Sequence, residues 1–479
     1  MYTIFLLECK KALSNRKNRF SLILYCALLF VFVLQNDATF SDARERELEQ
    51  LSMLPVRISN AANTRWMTTV YNAQWIPAPG FEDDFNLITQ AATNSYHTLR
   101  RMEIYAQQMT VAMKENDRTT EIIFLNYLYR AHLEQYLFAY NILGVPQPIG
   151  LFYLSRCGHN IPLDYNARIA FYRENQEFIQ YFVDNDILFL YENEMRGINF
   201  IYQALRQLLP LAVLFIVFIV ASDTFTSDNQ WGSYKFLLVN PISRKKVFIS
   251  KLIAACTIAF ALVLGPVIVL GLALGVMNGF GPYNYPILTQ MGTYATFTPL
   301  QNNLAFDQTV GNFLWRLLEF TQMEQAFAST GLAYVPEHPA LGLTPITSHV
   351  LFENYLFTPN PALQYTPMLL VIFMALPLYL LVILVAVSAI ALLSVLFQHS
   401  IPVLIIGVIF SIGAILFPAP VSNISLLARL NPFIYVNPIN ILNGVGSTTA
   451  LMGVVVLALW SVVLTILSLF LFTKRDIRC

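Results

Sequence analysis

Six stretches of the chain stay apolar long enough to matter in a bilayer, where a spanning helix needs about 20 mostly apolar residues. They are Phe20–Gln35, Leu208–Ala221 (longer once residues from Ile201 join it), Val247–Met277, Met368–Phe397, Ile401–Phe417 and Ala450–Phe472. Gly265-Pro266 interrupts the third run and Pro377 sits inside the fourth. Within lipid each must be helical, because an unpaired backbone group finds no water there. Between the first two runs the pattern changes to apolar and aromatic positions at three- and four-residue spacing, as in Phe124, Tyr127, Leu128, Ala131 and Tyr136. That spacing predicts helices over Glu45–Leu54, Leu87–Asn116, Thr120–Leu143 and Tyr165–Arg206, the last running straight into the second span. A break is expected at Gly144–Gly150, which carries two prolines.

Composition agrees with a membrane reading. Of 479 residues, 12% are charged and 56% apolar, with mean hydropathy +0.54. A soluble domain carries about 25% charge. Lys and Arg cluster near three span ends: Lys10, Lys11, Arg16, Lys17 and Arg19; Lys235, Arg244, Lys245, Lys246 and Lys251; and Lys474, Arg475 and Arg478. Basic loops face the cytoplasm, so six spans place both ends of the chain there. The opposite face is acidic, because residues 36–206 and 278–366 together carry a net charge of −10. The fold class expected is therefore an all-α polytopic membrane protein with six transmembrane helices and a large, mainly helical outer domain. The layout is a cytoplasmic segment 1–19, span 20–35, outer domain 36–200, span 201–221, cytoplasmic segment 222–246 and span 247–277. It continues with an outer region 278–366, spans 367–397 and 401–418, an outer loop 419–449, span 450–472 and a cytoplasmic tail 473–479.

Familiar chemistry is scarce. Zero net charge offers no basic surface for nucleic acid. No GxxxxGK[ST] loop, HExxH or GxSxG occurs, and Gly444–Thr449 lacks the lysine of a phosphate loop. The six histidines never pair at metal-ligand spacing. Five cysteines are scattered singly, and Cys157 reads as a small buried hydrophobe. Spans without mid-membrane charges argue against a proton- or sodium-driven carrier. Gly271-Leu-Ala-Leu-Gly275 permits close helix approach, either within one chain or between two.

One cytoplasmic segment stands out. Residues 222–251 place Phe225, Trp231, Tyr234, Phe236, Leu237 and Leu238 on an apolar side, with Asp228, Gln230 and Lys235 on a polar one. Pro241 ends this element, and Ser243 is placed to cap the next helix. It is either a solvated linker or an amphipathic element docked on a membrane surface or partner. The pattern on Asp228, Gly232, Ser233, Lys235, Leu237, Leu238, Pro241, Ile242, Ser243, Arg244 and Lys251 resembles the signature of type-two ABC exporter permeases. Aspartate stands where that family more often has glutamate, and Gln230 where a second acid is common. The basic amphipathic start of the chain, Asn284-Tyr-Pro286, Leu430–Pro438 and Lys474–Ile477 are similar to the same family's membrane portion; the outer domain is not.

This resemblance implies a permease without its own ATPase site. Two six-helix subunits, identical or not, would each sit on a separate ABC ATP-binding subunit that holds ATP and Mg, with no cofactor on this chain. Residues 228–238 would form the coupling helix, with Asp228, Gly232, Lys235, Pro241, Ser243, Arg244 and Lys251 as the ATPase-coupling set, and Thr3–Ser14 the elbow helix along the inner leaflet. The location implied is the cytoplasmic membrane of a bacterium. The apolar spans and acidic, aromatic outer face suit an apolar or amphipathic cargo, such as an antimicrobial peptide, drug or lipid. The alternative is a non-transporting membrane sensor or scaffold that displays its large outer domain.

Overall fold

A computed structural model describes residues 2–73, 82–143, 179–190, 194–230, 243–289, 364–397, 399–416, 430–442 and 449–474. Helices dominate: α1 (Tyr2–Ser14), α2 (Arg16–Ala73), α3 (Glu82–Glu115), α4 (Arg118–Leu143), α5 (Gly197–Gln203), α6 (Leu209–Gln230), α7 (Arg244–Asn278), α8 (Met368–Leu396), α9 (Ser400–Leu416), α10 (Pro438–Leu442) and α11 (Ala450–Lys474). Among the described residues four helical stretches are long and apolar enough to cross a membrane: Arg16–Asp42, α7, α8 and α11. Shorter apolar stretches occur at Phe215–Thr226 and in α9. The architecture is that of an all-α multi-pass membrane protein. Its first apolar helix shows the expected outer surface, with Phe20, Ile23, Leu24, Leu28, Val31 and Leu34 all exposed. Hydrocarbon, rather than water, is the medium such a face suits.

The chain forms two compact units, Met1–Asp37 with Asn193–Phe306 and Asn360–Cys479, and Ala38–Glu192 with Asp307–Pro359. In the second unit α3 and α4 pair along buried stripes (Leu99, Met102, Ala106 and Met109; Ile122, Leu125 and Leu128), with Leu51, Leu54, Ile58 and Ala62 buried on α2. Asn116 turns the chain between α3 and α4 in the left-handed region (φ 58°), and the Thr120 amide donates to Asp117 Oδ1 at 3.1 Å to cap α4.

One expectation is corrected. The helix over Tyr165–Arg206 is not continuous. Residues 179–184 are helical, Asp186 takes φ 49°, and 187–190 and 194–196 lie outside any helix. Aspartate tolerates this left-handed geometry and ends the helix. Ile187, Phe189 and Leu190 are then buried beside Phe182, whose ring meets that of Phe189 edge-on at 4.9 Å. The helix restarts at Gly197, where the Gly197 and Ile198 amides donate to the Gly279 and Phe280 carbonyls.

A short ribbon accompanies the helices. Strands β1 (Pro286–Thr289) and β2 (Gln364–Pro367) pair antiparallel, Ile287 opposite Thr366 and Leu288 opposite Tyr365. Their β-branched and aromatic residues suit a ladder. The Tyr285 and Tyr283 carbonyls then accept from the Met368 and Leu369 amides, satisfying the open start of α8.

Inside the membrane unit, small residues set the spacing of helices. A Cβ on Gly197 would lie 2.7 Å from the Gly271 carbonyl oxygen and 2.8 Å from Gly275 Cα. The Gly271–Gly275 motif is therefore used within one chain, as the seat of α5 on α7. Ser388 and Thr465 share a 3.0 Å hydrogen bond between α8 and α11.

Side chains from elsewhere in the unit satisfy the carbonyls that Pro210 leaves without donors. Residues Ala204–Leu208 form a π-turn between α5 and α6, in which the Leu209 amide donates to Ala204 rather than Leu205. Pro210 has no N–H to offer, so the Leu205 and Arg206 carbonyls lack helical donors. Tyr379 from α8 donates its hydroxyl to Leu205, and Asn437 its amide to Arg206 at 2.8 Å. Pro266 stays inside α7, which runs unbroken through the interruption the sequence suggested, and the Tyr25 hydroxyl reaches the nearby Val263 carbonyl at 3.0 Å.

Candidate functional site: a buried ionic cluster and an apolar groove

The coupling set divides. Gly232, Lys235 and Pro241 lie outside the described residues, and Asp228 belongs by its backbone to the last turn of α6. Ser243 is the residue before α7, in extended geometry (φ −64°, ψ 138°). Its hydroxyl makes no cap bond; its carbonyl instead accepts from the Lys246 and Val247 amides. Arg244 Nη1 donates to the Thr473 carbonyl at 3.3 Å and ties the start of α7 to the end of α11. Phe248 packs between Phe225 and Phe472 with tilted rings (centroids 5.7 and 5.3 Å apart), so α6, α7 and α11 meet at this end.

Lys251 has the least expected environment. It is 0% exposed, and its ammonium contacts Glu8 Oε1 at 3.0 Å and donates to the Thr224 carbonyl at 3.1 Å. Glu8 itself is 2% exposed. An ion pair taken this far out of water survives only when its remaining hydrogen-bond groups are met, and the Thr224 carbonyl supplies one. Next to it, Asp223 accepts from Asn15 Nδ2 at 2.7 Å and from Lys17 Nζ at 3.3 Å. Two ionic contacts thus fasten α1 and the α1–α2 junction to the base of α6 and α7. Any action of Lys251 on a partner subunit has to pass through this internal contact.

The sequence reading missed Glu8, Asn15 and Asp223. A signal existed: Ile4, Glu8 and Ala12 are all buried and recur every four residues. A lone acid in such a stripe faces the protein and calls for a buried cation. Cys9 lies beside it, and burial together with the Glu8 carboxylate raises its thiol above the ordinary value.

A second feature lies deeper in the membrane unit. A groove of about 580 Å³ runs along α8 from Val382 to Leu393, walled by α6, α9 and α11. The turn Leu430–Val436, which contains a short 3-10 helix at Pro432–Tyr435, lies over it. Phe218 packs close against Gly407, where a Cβ would come within 2.7 Å of the ring. Trp460 Nε1 donates to the Leu430 carbonyl at 2.8 Å. Trp460 stands ten residues into α11, so this turn reaches about 15 Å along the helix at a rise of ~1.5 Å per residue. Irregular backbone is tolerated at such depth only where protein or a cavity surrounds it.

Among the described residues no group of three or more His, Cys, Asp or Glu side chains is placed to hold a metal ion. The arrangement has a mechanical base and an apolar recess. No family model, curated protein or solved structure matches this chain.

Proposed function

We propose that the chain is the permease subunit of an ATP-driven ABC exporter in the cytoplasmic membrane of a bacterium, with six spans and both ends in the cytoplasm. It moves an apolar or amphipathic cargo. The observation that carries this reading is the segment Asp228–Lys251, which joins two apolar helices and bears the exporter-like pattern. The supporting geometry is the shared base of α1, α6 and α7, held by Lys251–Glu8 and Lys17–Asp223. A push on residues 228–244 by an ATP-binding subunit would move these helices together, as alternating rigid-body closure requires. Energy would come from ATP and Mg on that partner, and a second permease subunit would complete the path.

The test is purification of the full chain with the ATP-binding subunit encoded beside it. The expected result is a stable complex whose ATP hydrolysis loses its coupling to transport in Gly232→Trp, with the fold intact. A chain that is active without any ATPase, or a Gly232→Trp complex with unchanged cargo-stimulated hydrolysis, overturns the reading. The separate compact unit built on α3 and α4 favours a second reading, a sensor or scaffold displaying that unit. An adjacent kinase or response-regulator gene in place of an ATPase would support it.

A further inference from the structure

The groove along α8 makes no polar demand on a ligand. Of the residues lining it, Asn431 alone has a polar group on its side chain that is not already committed: its Oδ1 accepts from the Phe433 amide, and the Trp460 N–H is taken by Leu430. A polar molecule entering here would give up bonds to water and regain almost none. The recess lies within the range of about 300–1,000 Å³ that small ligands occupy. Water does not fill apolar recesses of this kind.

Its position narrows the choice of occupant. Val382 to Leu393 spans twelve residues of α8, about 16 Å over the eleven helical rises between them, or half of a hydrocarbon core ~30 Å thick. The groove therefore covers the depth of one leaflet and ends a turn before α8 does. Around it the same helices present exposed apolar residues: Ile405 and Ile409 on α9, Val463 and Leu467 on α11, and Leu396 on α8. These surroundings are themselves a hydrocarbon-facing surface, so whatever enters the recess enters from hydrocarbon.

We propose that the groove holds one acyl chain of a membrane glycerophospholipid, drawn from the leaflet at which α8 ends. The chain lies along Leu392, Ala389 and Val385, with its terminal methyl toward Val382 under the Leu430–Val436 turn. This site is independent of the exporter reading. A non-transporting membrane protein would hold the lipid as well.

The experiment reconstitutes the full chain in bilayers doped with a phosphatidylcholine carrying a photoactivatable group midway along one chain. After illumination, labelled peptides are mapped by mass spectrometry. Wild-type protein is expected to label most strongly within 382–393 and 457–464. Ala389→Phe, which fills the groove, should lower that labelling several-fold, whereas Val269→Phe, on an exposed face of α7, should not. Val385→Phe serves the same purpose if Ala389→Phe does not fold, and Leu393→Ala, which widens the recess, should keep the label. Equal labelling of all exposed apolar faces, or labelling indifferent to both filling variants, overturns the proposal. So does an Ala389→Cys chain that crosslinks to a second copy through that cysteine, because another protomer then covers the groove.

Discussion

Replacing Lys251 by methionine tests the mechanical base directly. The substitution keeps the volume and removes the cation, leaving the Glu8 carboxylate, 2% exposed, with no counter-charge. Breaking a buried pair by deleting one partner costs about 3–5 kcal/mol. At ~1.4 kcal/mol per factor of ten, the docked state of α1 should lose roughly a hundred- to a few thousandfold of its preference. The neighbouring Lys17–Asp223 contact cannot make this up, because Lys17 is 59% exposed and such pairs contribute about 0–1 kcal/mol. Cys9 reports the change. In a chain whose other four cysteines are replaced by alanine, a thiol reagent should modify Cys9 slowly in the wild-type sequence and much faster in Lys251→Met. Burial is the larger cause holding the thiol protonated, so release from α7 acts in the same direction, whereas Glu8 stays beside Cys9 on α1 in either state. The double variant Glu8→Met/Lys251→Met should recover slow labelling, since an apolar pair of similar volume replaces the ionic one. Wild-type labelling and unchanged thermal stability in Lys251→Met would refute the reasoning, as would a double variant no better than the single.

Three further outcomes are expected. Gly197→Ala should destabilise the membrane unit by about 1–3 kcal/mol through overpacking against the α7 backbone, while Gly265→Ala, which meets nothing within 4 Å, should stabilise it by roughly 0.5–1 kcal/mol; thermal unfolding in detergent ranks the two. Tyr379→Phe should cost about 1–3 kcal/mol, because the Leu205 carbonyl beside Pro210 then has no donor, and Asn437→Ala should act similarly at Arg206, both read in the same melts. Asp117 is held below its ordinary value of 3.8 by hydrogen bonds from Thr120. Its contribution is therefore present above pH 3.8 and lost as pH falls through the lower folded value, so Asp117→Ala should flatten the acid limb of a helicity-against-pH curve.

Helix existence was legible in the sequence wherever a single periodic or apolar pattern ran uninterrupted. The run Ala450–Phe472 becomes α11, Met368–Phe397 becomes α8, and Thr120–Leu143 lies within α4. Failures came where a local pattern was overruled by something distant. Residues near Asp186 contain no proline or glycine, yet a left-handed aspartate breaks the helix. Pro266 looked like an interruption, but a proline removes one helical bond without ending a helix whose other faces are packed. At the ionic cluster, Lys251 was visible only as one more positive charge near a span end. Its meaning depends on Glu8, and although the Ile4, Glu8 and Ala12 spacing calls for a buried cation, nothing near either residue in the sequence says which one. The π-turn is equally silent, because its causes, Pro210 and a tyrosine from α8, sit on different helices.

The β1–β2 ribbon fixes where a long excursion of the chain begins and ends. Thr289 lies opposite Gln364, so the chain before residue 290 and after residue 363 is held side by side by four residue pairs. Closure entropy changes by only about 0.6 kcal/mol for each doubling of loop length. Added length between the two strands should therefore leave α7 and α8 in register. The ribbon makes its own open end a natural port for insertion, where a tag added after Thr289 or before Gln364 need not disturb the spans on either side.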